Sequence, residues 1–321
     1  MKKNVLIAVA LFATMAVNAQ SIAAVSPSNV TTMYQTLDDA VANAENGSII
    51  YLPGGGSQIK DETKIKKKFT IMGVSHRADA DNADGATVIS GNLNFDKGSD
   101  GSSVVGVYIS GNIYVGTAAD SVRNLTVRFC NVNSIQVKHY QSSGLFINQC
   151  YLRGWCNFGR CNVRFENNVS QRVELIVGGI INHNIMYYGE GYAIFNVHNS
   201  IITNNILIGT GGWQSNISQN MTSNNGASVN IGENGLGFGE GDSWDNIFEK
   251  NKGYSINSIY KLKGTWGKNA GTDGTDLGIY GGSGFYEKKS LAPIPRIVSK
   301  KVDEHTDGSG NLHIEIAVKA E

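Results

Sequence analysis

One four-residue unit recurs through the middle of this 321-residue chain and restricts what it can fold into. The copies are Val127-Arg-Phe-Cys130, Ile147-Asn-Gln-Cys150, Phe165-Glu-Asn-Asn168, Ile181-Asn-His-Asn184, Ile202-Thr-Asn-Asn205, Ile217-Ser-Gln-Asn220 and Phe248-Glu-Lys-Asn251. Each places a large apolar residue first, two mostly polar residues next, and Asn or Cys last. From Cys130 to Asn220 the residue numbers step by 20, 18, 16, 21 and 15, and the step to Asn251 is 31, which implies a missed rung or an inserted loop. Leu125, Leu145 and Val163 lie two residues before the apolar anchor and give the alternation of a strand.

A coil of roughly 20 residues cannot bury its own apolar face, so it must stack on similar neighbours. Stacked coils pair in parallel about 4.8 Å apart, which aligns side chains of one phase in columns. An Asn at each bend can offer its amide to backbone groups and to the Asn above, satisfying polar atoms beside the core. The pattern therefore predicts one inward column of Cys130, Cys150, Asn168, Asn184, Asn205 and Asn220. It also predicts that Val127, Ile147, Phe165, Ile181, Ile202 and Ile217 are buried. The L-x-x-L-x-L spacing of leucine-rich repeats is absent, and Asn-Gly turn dipeptides occur only at Asn46, Asn225 and Asn234, too few for a sandwich or propeller. The fold class is all-β: a single-stranded right-handed parallel β-helix.

The flanks fit this reading. Tyr34 to Ala44 reads as an N-terminal capping helix, with Leu37, Ala40, Val41 and Ala44 on one stripe. Ser48-Ile-Ile-Tyr-Leu52 and Lys68-Phe-Thr-Ile-Met-Gly73 follow as first coils. After Pro293-Ile-Pro295, the segments Arg296 to Val302 and Leu312 to Val318 read as two strands joined by the turn Asp307-Gly-Ser-Gly-Asn311. The domain reading is a signal peptide over 1–19, the β-helix over 20–288, and a two-stranded cap or tail over 289–321. Lys2 and Lys3, the apolar run Val5 to Val17, and the small residues around Val17-Asn18-Ala19 carry the export expectation. The run is short for a membrane span, and no later stretch approaches ~20 apolar residues. The chain is thus expected to be secreted, whether periplasmic, cell-surface or extracellular.

With these residues the chain resembles the right-handed parallel β-helix proteins of the pectin-lyase-like superfamily. Gly271-Thr-Asp-Gly-Thr-Asp-Leu-Gly-Ile-Tyr-Gly-Gly282 is similar to the closing segment of secreted β-helix proteins from Bacteroidetes. The likeness covers most of residues 34 to 282. It implies a helix plugging the open barrel end and a site on the outer face of a parallel sheet, where sugar chains lie across the rungs. It is specific for fold rather than activity, because that superfamily holds lyases, hydrolases, epimerases and non-enzymes.

Composition narrows the partners. With 27 basic and 27 acidic residues the chain carries no electrostatic footprint for nucleic acid. Cys130, Cys150, Cys156 and Cys161 fit no zinc spacing and read as structural thiols or one local bridge. No cofactor is implied. The resemblance raises calcium, but no outward column stacks two or three Asp residues, and Asp79-Ala-Asp-Asn-Ala-Asp84-Gly85 departs from a calcium loop and reads as a polar turn.

The outward columns follow from the phase of the ladder. One holds Arg128, Asn148, Glu166, Asn182, Thr203, Ser218 and Glu249, and the other Thr126, Phe146, Arg164, Ile180 and Ile201. Arg164 and Glu166 are the candidate catalytic pair, with Arg gripping a sugar carboxylate and Glu166 acting as acid or base. Arg128, Phe146, Asn148 and Asn182 are candidate substrate contacts on the same face. Glu190, Asp242 and Trp244 are candidate contacts from loops, with Trp244 as the better exposed aromatic. Phe158, Ile176, Tyr192 and Trp213 share one offset from the ladder and read as an internal stack. No metal ligands are assigned. The partner expected is a polysaccharide or cell-surface glycan. Two functions compete: a secreted protein that binds or processes carbohydrate on its outer sheet face, lyase- or hydrolase-like, or a non-catalytic, adhesin-like structural protein of the cell surface.

Overall fold

Short apolar-alternating strands separated by tight bends wind into a parallel β-solenoid of about seven turns. The structure is a computed structural model, and it describes residues 21–55, 62–77, 85–189, 191–209, 214–215, 221–223, 225–227, 233–237, 244–249, 253–283, 296–303 and 305–319. Each turn contributes one strand to each of three sheets, here numbered in winding order. One turn, for example, runs Thr126–Arg128 in sheet 1, Asn131–Val132 in sheet 2 and Ile135–Val137 in sheet 3. Among the described residues the sheets hold 11, 9 and 8 strands. All rungs pair in parallel except at the start of sheet 1, where Ile22–Val25 and Thr31–Tyr34 form an antiparallel hairpin on Ile49–Tyr51. That hairpin was not legible in the repeat.

The inward column of sheet 1 is fully buried: Ile50, Ile71, Val104, Val127, Ile147, Phe165, Ile181 and Ile202 each expose 0% of their surface. The predicted anchors from Val127 to Ile202 are therefore in the core. The last one needs correction. Ile217 and Asn220 lie outside the described residues, and the rung after Ile201–Thr203 is Met221–Ser223, so Thr222 pairs with Ile202. The ladder continues at Asn225, whose Oδ1 accepts the Asn205 backbone N–H at 2.9 Å. Thr222 is not apolar, so this rung lacks the large anchor that marks the others, and Ile217 mimics that anchor in the sequence. The doubled Asn in Asn204-Asn205 and Asn224-Asn225 was the available signal.

Sheet 1 turns into sheet 2 at a two-residue bend. The residue before each ladder position has a left-handed backbone: Phe129 (φ 52°), Gln149 (54°), Asn167 (53°), His183 (53°) and Asn204 (60°). Side chains other than glycine rarely adopt this conformation. The ladder stabilises it, because Asn168, Asn184, Asn205 and Asn225 hydrogen-bond the backbone on either side of successive bends.

The N-terminal end carries a cap. The helix α1 is Leu37–Asn43, shorter than the expected span because Tyr34 belongs to a strand. Thr36 caps it by accepting the Asp39 N–H, and Leu37, Ala40 and Val41 face the core. Towards the C-terminus, Arg296–Val302 and Ile314–Lys319 form an antiparallel pair, as expected to within two residues, and they make a separate two-stranded sheet whose Val302, Ile314, Ile316 and Val318 are exposed. The Pro293 to Pro295 hinge and the residues of the expected signal peptide lie outside the described residues.

A second core forms outside the solenoid. The outward residues of sheet 2, Tyr151, Val169, Ile185 and Ile206, pack against Ile247, Phe248, Tyr260, Leu262, Leu277 and Ile279. The segment 253–283 thus straps over sheet 2, while the outer faces of sheets 1 and 3 carry mixed polar and charged columns.

Candidate functional site

Sheet 1 assembles the predicted outer face because its registers are unbroken there. Thr126 pairs with Phe146, Phe146 with Arg164, and Arg164 with Ile180; Arg128 pairs with Asn148, Asn148 with Glu166, and Glu166 with Asn182. Period-2 alternation then sends all of them outward. Phe146 lies between two guanidinium groups, Arg164 at 4.9 Å and Arg128 at 6.0 Å from its ring centroid. Arg128 also covers Phe129 at 5.0 Å. Such cation–ring contacts hold long side chains flat against a sheet.

The charges on this face are unequally engaged. Arg164 Nη2 donates to Glu166 Oε2 at 2.8 Å and to Oε1 at 3.0 Å, and Nε adds a contact at 3.2 Å. The pair is a surface one, with the Arg164 side chain 58% exposed, so it contributes about 0–1 kcal/mol to stability. Its consequence is positional: both carboxylate oxygens of Glu166 face Arg164. Arg128 differs, because Nε donates only to Asn148 Oδ1 at 3.3 Å, and among the described residues no carboxylate pairs with it. Asn148 is buried beneath, donating to the Glu166 carbonyl at 3.2 Å, which makes it a support for Arg128 rather than a contact surface. Asn182 Oδ1 accepts from Thr203 and Asn204 at 3.1 and 3.0 Å. A shallow hollow of about 260 Å³ beside Phe146 and Arg164 extends along Gly144, Asn162, Gly178 and Ile180.

The loop candidates fare differently. Trp244 is not an exposed platform: it begins a short helix, Trp244–Ile247, and packs at 5.1 Å from Tyr187 and 5.7 Å from Phe248 in the second core. Ile247 and Phe248 pack on the apolar outer face of sheet 2, and the indole lies against the same seam. Glu190, Asp242 and the Asp79 to Asp84 run lie outside the described residues. Phe158 and Ile176 are buried as expected, whereas Tyr192 is half-buried because Ile194 takes the rung position against Val173. Trp213 also lies outside the described residues.

Sequence reasoning missed the exposed aromatic at the corner between sheets 2 and 3. Trp155 is 47% exposed and, with Tyr187, Tyr188, Gln171, Gly154 and Gly189, lines an open cleft of about 460 Å³. Its position immediately before the inward Cys156 was the only signal. The four cysteines are free thiols buried in the core, so the reading as structural thiols holds over the local bridge. Burial pushes Cys156 and Cys161 up to about 12 and raises Cys150 well above its ordinary value. Among the described residues no cluster of three His, Cys, Asp or Glu side chains could hold a metal ion. No helix described is long and apolar enough to cross a membrane.

Compared with known proteins, the chain matches no protein family, no curated protein and no solved structure.

Proposed function

We propose that this protein binds an acidic polysaccharide along the outer face of sheet 1, in the manner of a lectin rather than a lyase or hydrolase. The observation that carries the reading is Arg128: a guanidinium held flat by Phe129 and Phe146, next to exposed Arg164, with no carboxylate partner among the described residues. A planar fork of N–H donors in that setting suits a sugar carboxylate. The rung spacing lets successive residues of a polymer meet Arg128, Phe146, Arg164 and Asn182 in turn. The resemblance to the pectin-lyase-like superfamily supports the same substrate class. Binding is favoured over cleavage because Glu166 holds both oxygens on Arg164, and an acid or base must exchange its proton with substrate instead.

Affinity electrophoresis through gels containing polygalacturonate, alginate or hyaluronan tests this. The wild-type chain should be retarded by at least one acidic polymer, and less so as salt rises. Arg128→Ala should weaken that binding about tenfold to a hundredfold, the worth of one charge-assisted contact. Arg128 is a cleaner probe than Arg164, whose removal also releases the Glu166 charge. Absence of retardation in every acidic gel would leave the sheet face as a structural surface and defeat the proposal.

A further inference from the structure

The corner between sheets 2 and 3 holds a second cleft with chemistry unlike that of the Arg128 face. In register, Arg172 stands one rung beyond Trp155, and its guanidinium carbon lies 5.4 Å from the Trp155 ring, 5.8 Å from Tyr188 and 4.1 Å from Phe195. Arg172 Nη2 also meets Glu174 Oε2 at 2.6 Å, and Asn157 Nδ2 donates to Glu174 Oε1 at 2.8 Å. Glu174 is only 8% exposed, so the charge of Arg172 is cancelled locally. Above this neutral floor Trp155 stays 47% exposed, and Gln171, Tyr187 and Tyr188 bring an amide and two phenols to the rim.

We infer that this cleft is a binding site for a neutral saccharide, with one sugar ring laid on Trp155 and its hydroxyls met by Gln171 and Tyr188. A cation is disfavoured, because Arg172 already holds the cation position over one face of Trp155 and over Tyr188 and Phe195. Among the described residues an anion finds no net positive charge, since Glu174 neutralises Arg172. A purely apolar ligand would strand the Gln171 amide and the phenols without partners. A pyranose has both an apolar C–H face and a polar edge, and a cleft of about 460 Å³ is of ordinary ligand-site size. The site is separate from the Arg128 face and neither depends on the other.

The test is calorimetric titration, with tryptophan fluorescence read in parallel, of the full chain. The probes are neutral hexasaccharides of β-1,4-linked glucose, mannose and xylose and of α-1,4-linked glucose, with choline and glucuronate as charged controls. Saturable binding of at least one hexasaccharide is expected, about tenfold or more weaker in Trp155→Ala, as for an aromatic anchor. Gln171→Ala should weaken it several-fold while leaving the melting transition in place. Arg128→Ala should bind the neutral sugar as the wild type does, and Trp155→Ala should keep its retention in acidic gels. Failure of every hexasaccharide to bind, preference for choline or glucuronate, or unchanged affinity in both cleft variants would overturn the inference.

Discussion

Asn184 concentrates the logic of this fold in one side chain. Its Nδ2 donates to the Phe165 carbonyl at 2.7 Å and to Asn205 Oδ1 at 2.9 Å, while its Oδ1 accepts the Asn168 backbone N–H at 2.9 Å. Three rungs are thereby joined at a residue that is 0% exposed. Asn184→Leu keeps the branched shape and strands those groups, so it should destabilise by about 1–3 kcal/mol, read as a lowered denaturant midpoint. An unchanged midpoint would mean the bends hold without the ladder. The cysteines occupy the same core differently: Cys150 Sγ lies against the Val127 carbonyl at 3.5 Å, where a thiol fills space without needing a network. Because burial raises Cys150, Cys156 and Cys161, a disulfide-exchange reagent should find native thiols unreactive at neutral pH and label four after denaturation.

The strap of 253–283 is the element that most shapes the outside of the molecule. It docks on the bend column as well as on sheet 2: Asn167 Nδ2 donates to the Ile279 and Gly281 carbonyls at 3.2 and 2.9 Å, and Asn204 Nδ2 donates to Thr272 Oγ1 at 3.0 Å. His183, 1% exposed, meets Asp273 Oδ2 through Nε2 at 3.0 Å. Burial alone would raise the Asp273 carboxyl, but hydrogen bonds from Thr275 and His183 outweigh it and hold the group below its ordinary value. A carboxyl lowered in the folded state stabilises docking above the ordinary carboxylate range, and that contribution fades as pH falls through the lowered value. Pepsin digestion at successively lower pH should therefore cut the strap more readily as Asp273 protonates, and Asp273→Asn should be cut at milder pH than the wild type. Equal susceptibility of the two proteins would remove this contact from the docking. The repeat made sheet 1 and its outward columns legible from Val127 to Ile202, because every rung there keeps one apolar anchor and one phase. The strap was not legible: His183 and Asp273 are 90 residues apart, and no periodicity links a covering segment to the face it covers. The left-handed bends at Phe129 and Gln149 were equally hidden, since neither residue favours that conformation and only stacking imposes it.

For the whole molecule, the solenoid provides a ruler. Sheets 1 and 3 present their columns to the outside, the strap covers sheet 2 from Tyr151 to Ile206, and strand registers keep polar and aromatic groups about 4.8 Å apart along the axis. From Arg128 to Asn182 the proposed face spans three rung steps, about 14 Å. A polymer crossing it gains one set of contacts per rung, so affinity should depend on ligand length in a way that a single pocket would not show. The most direct measurement is the dissociation constant for a series of acidic oligosaccharides, from disaccharide to octasaccharide, drawn from whichever polymer retards the protein. Affinity should rise steeply with length until the ligand exceeds about 14 Å and then level off, with Arg128→Ala lowering the whole curve. Affinity that is the same at every length, or a curve that Arg128→Ala leaves in place, would contradict binding along this face.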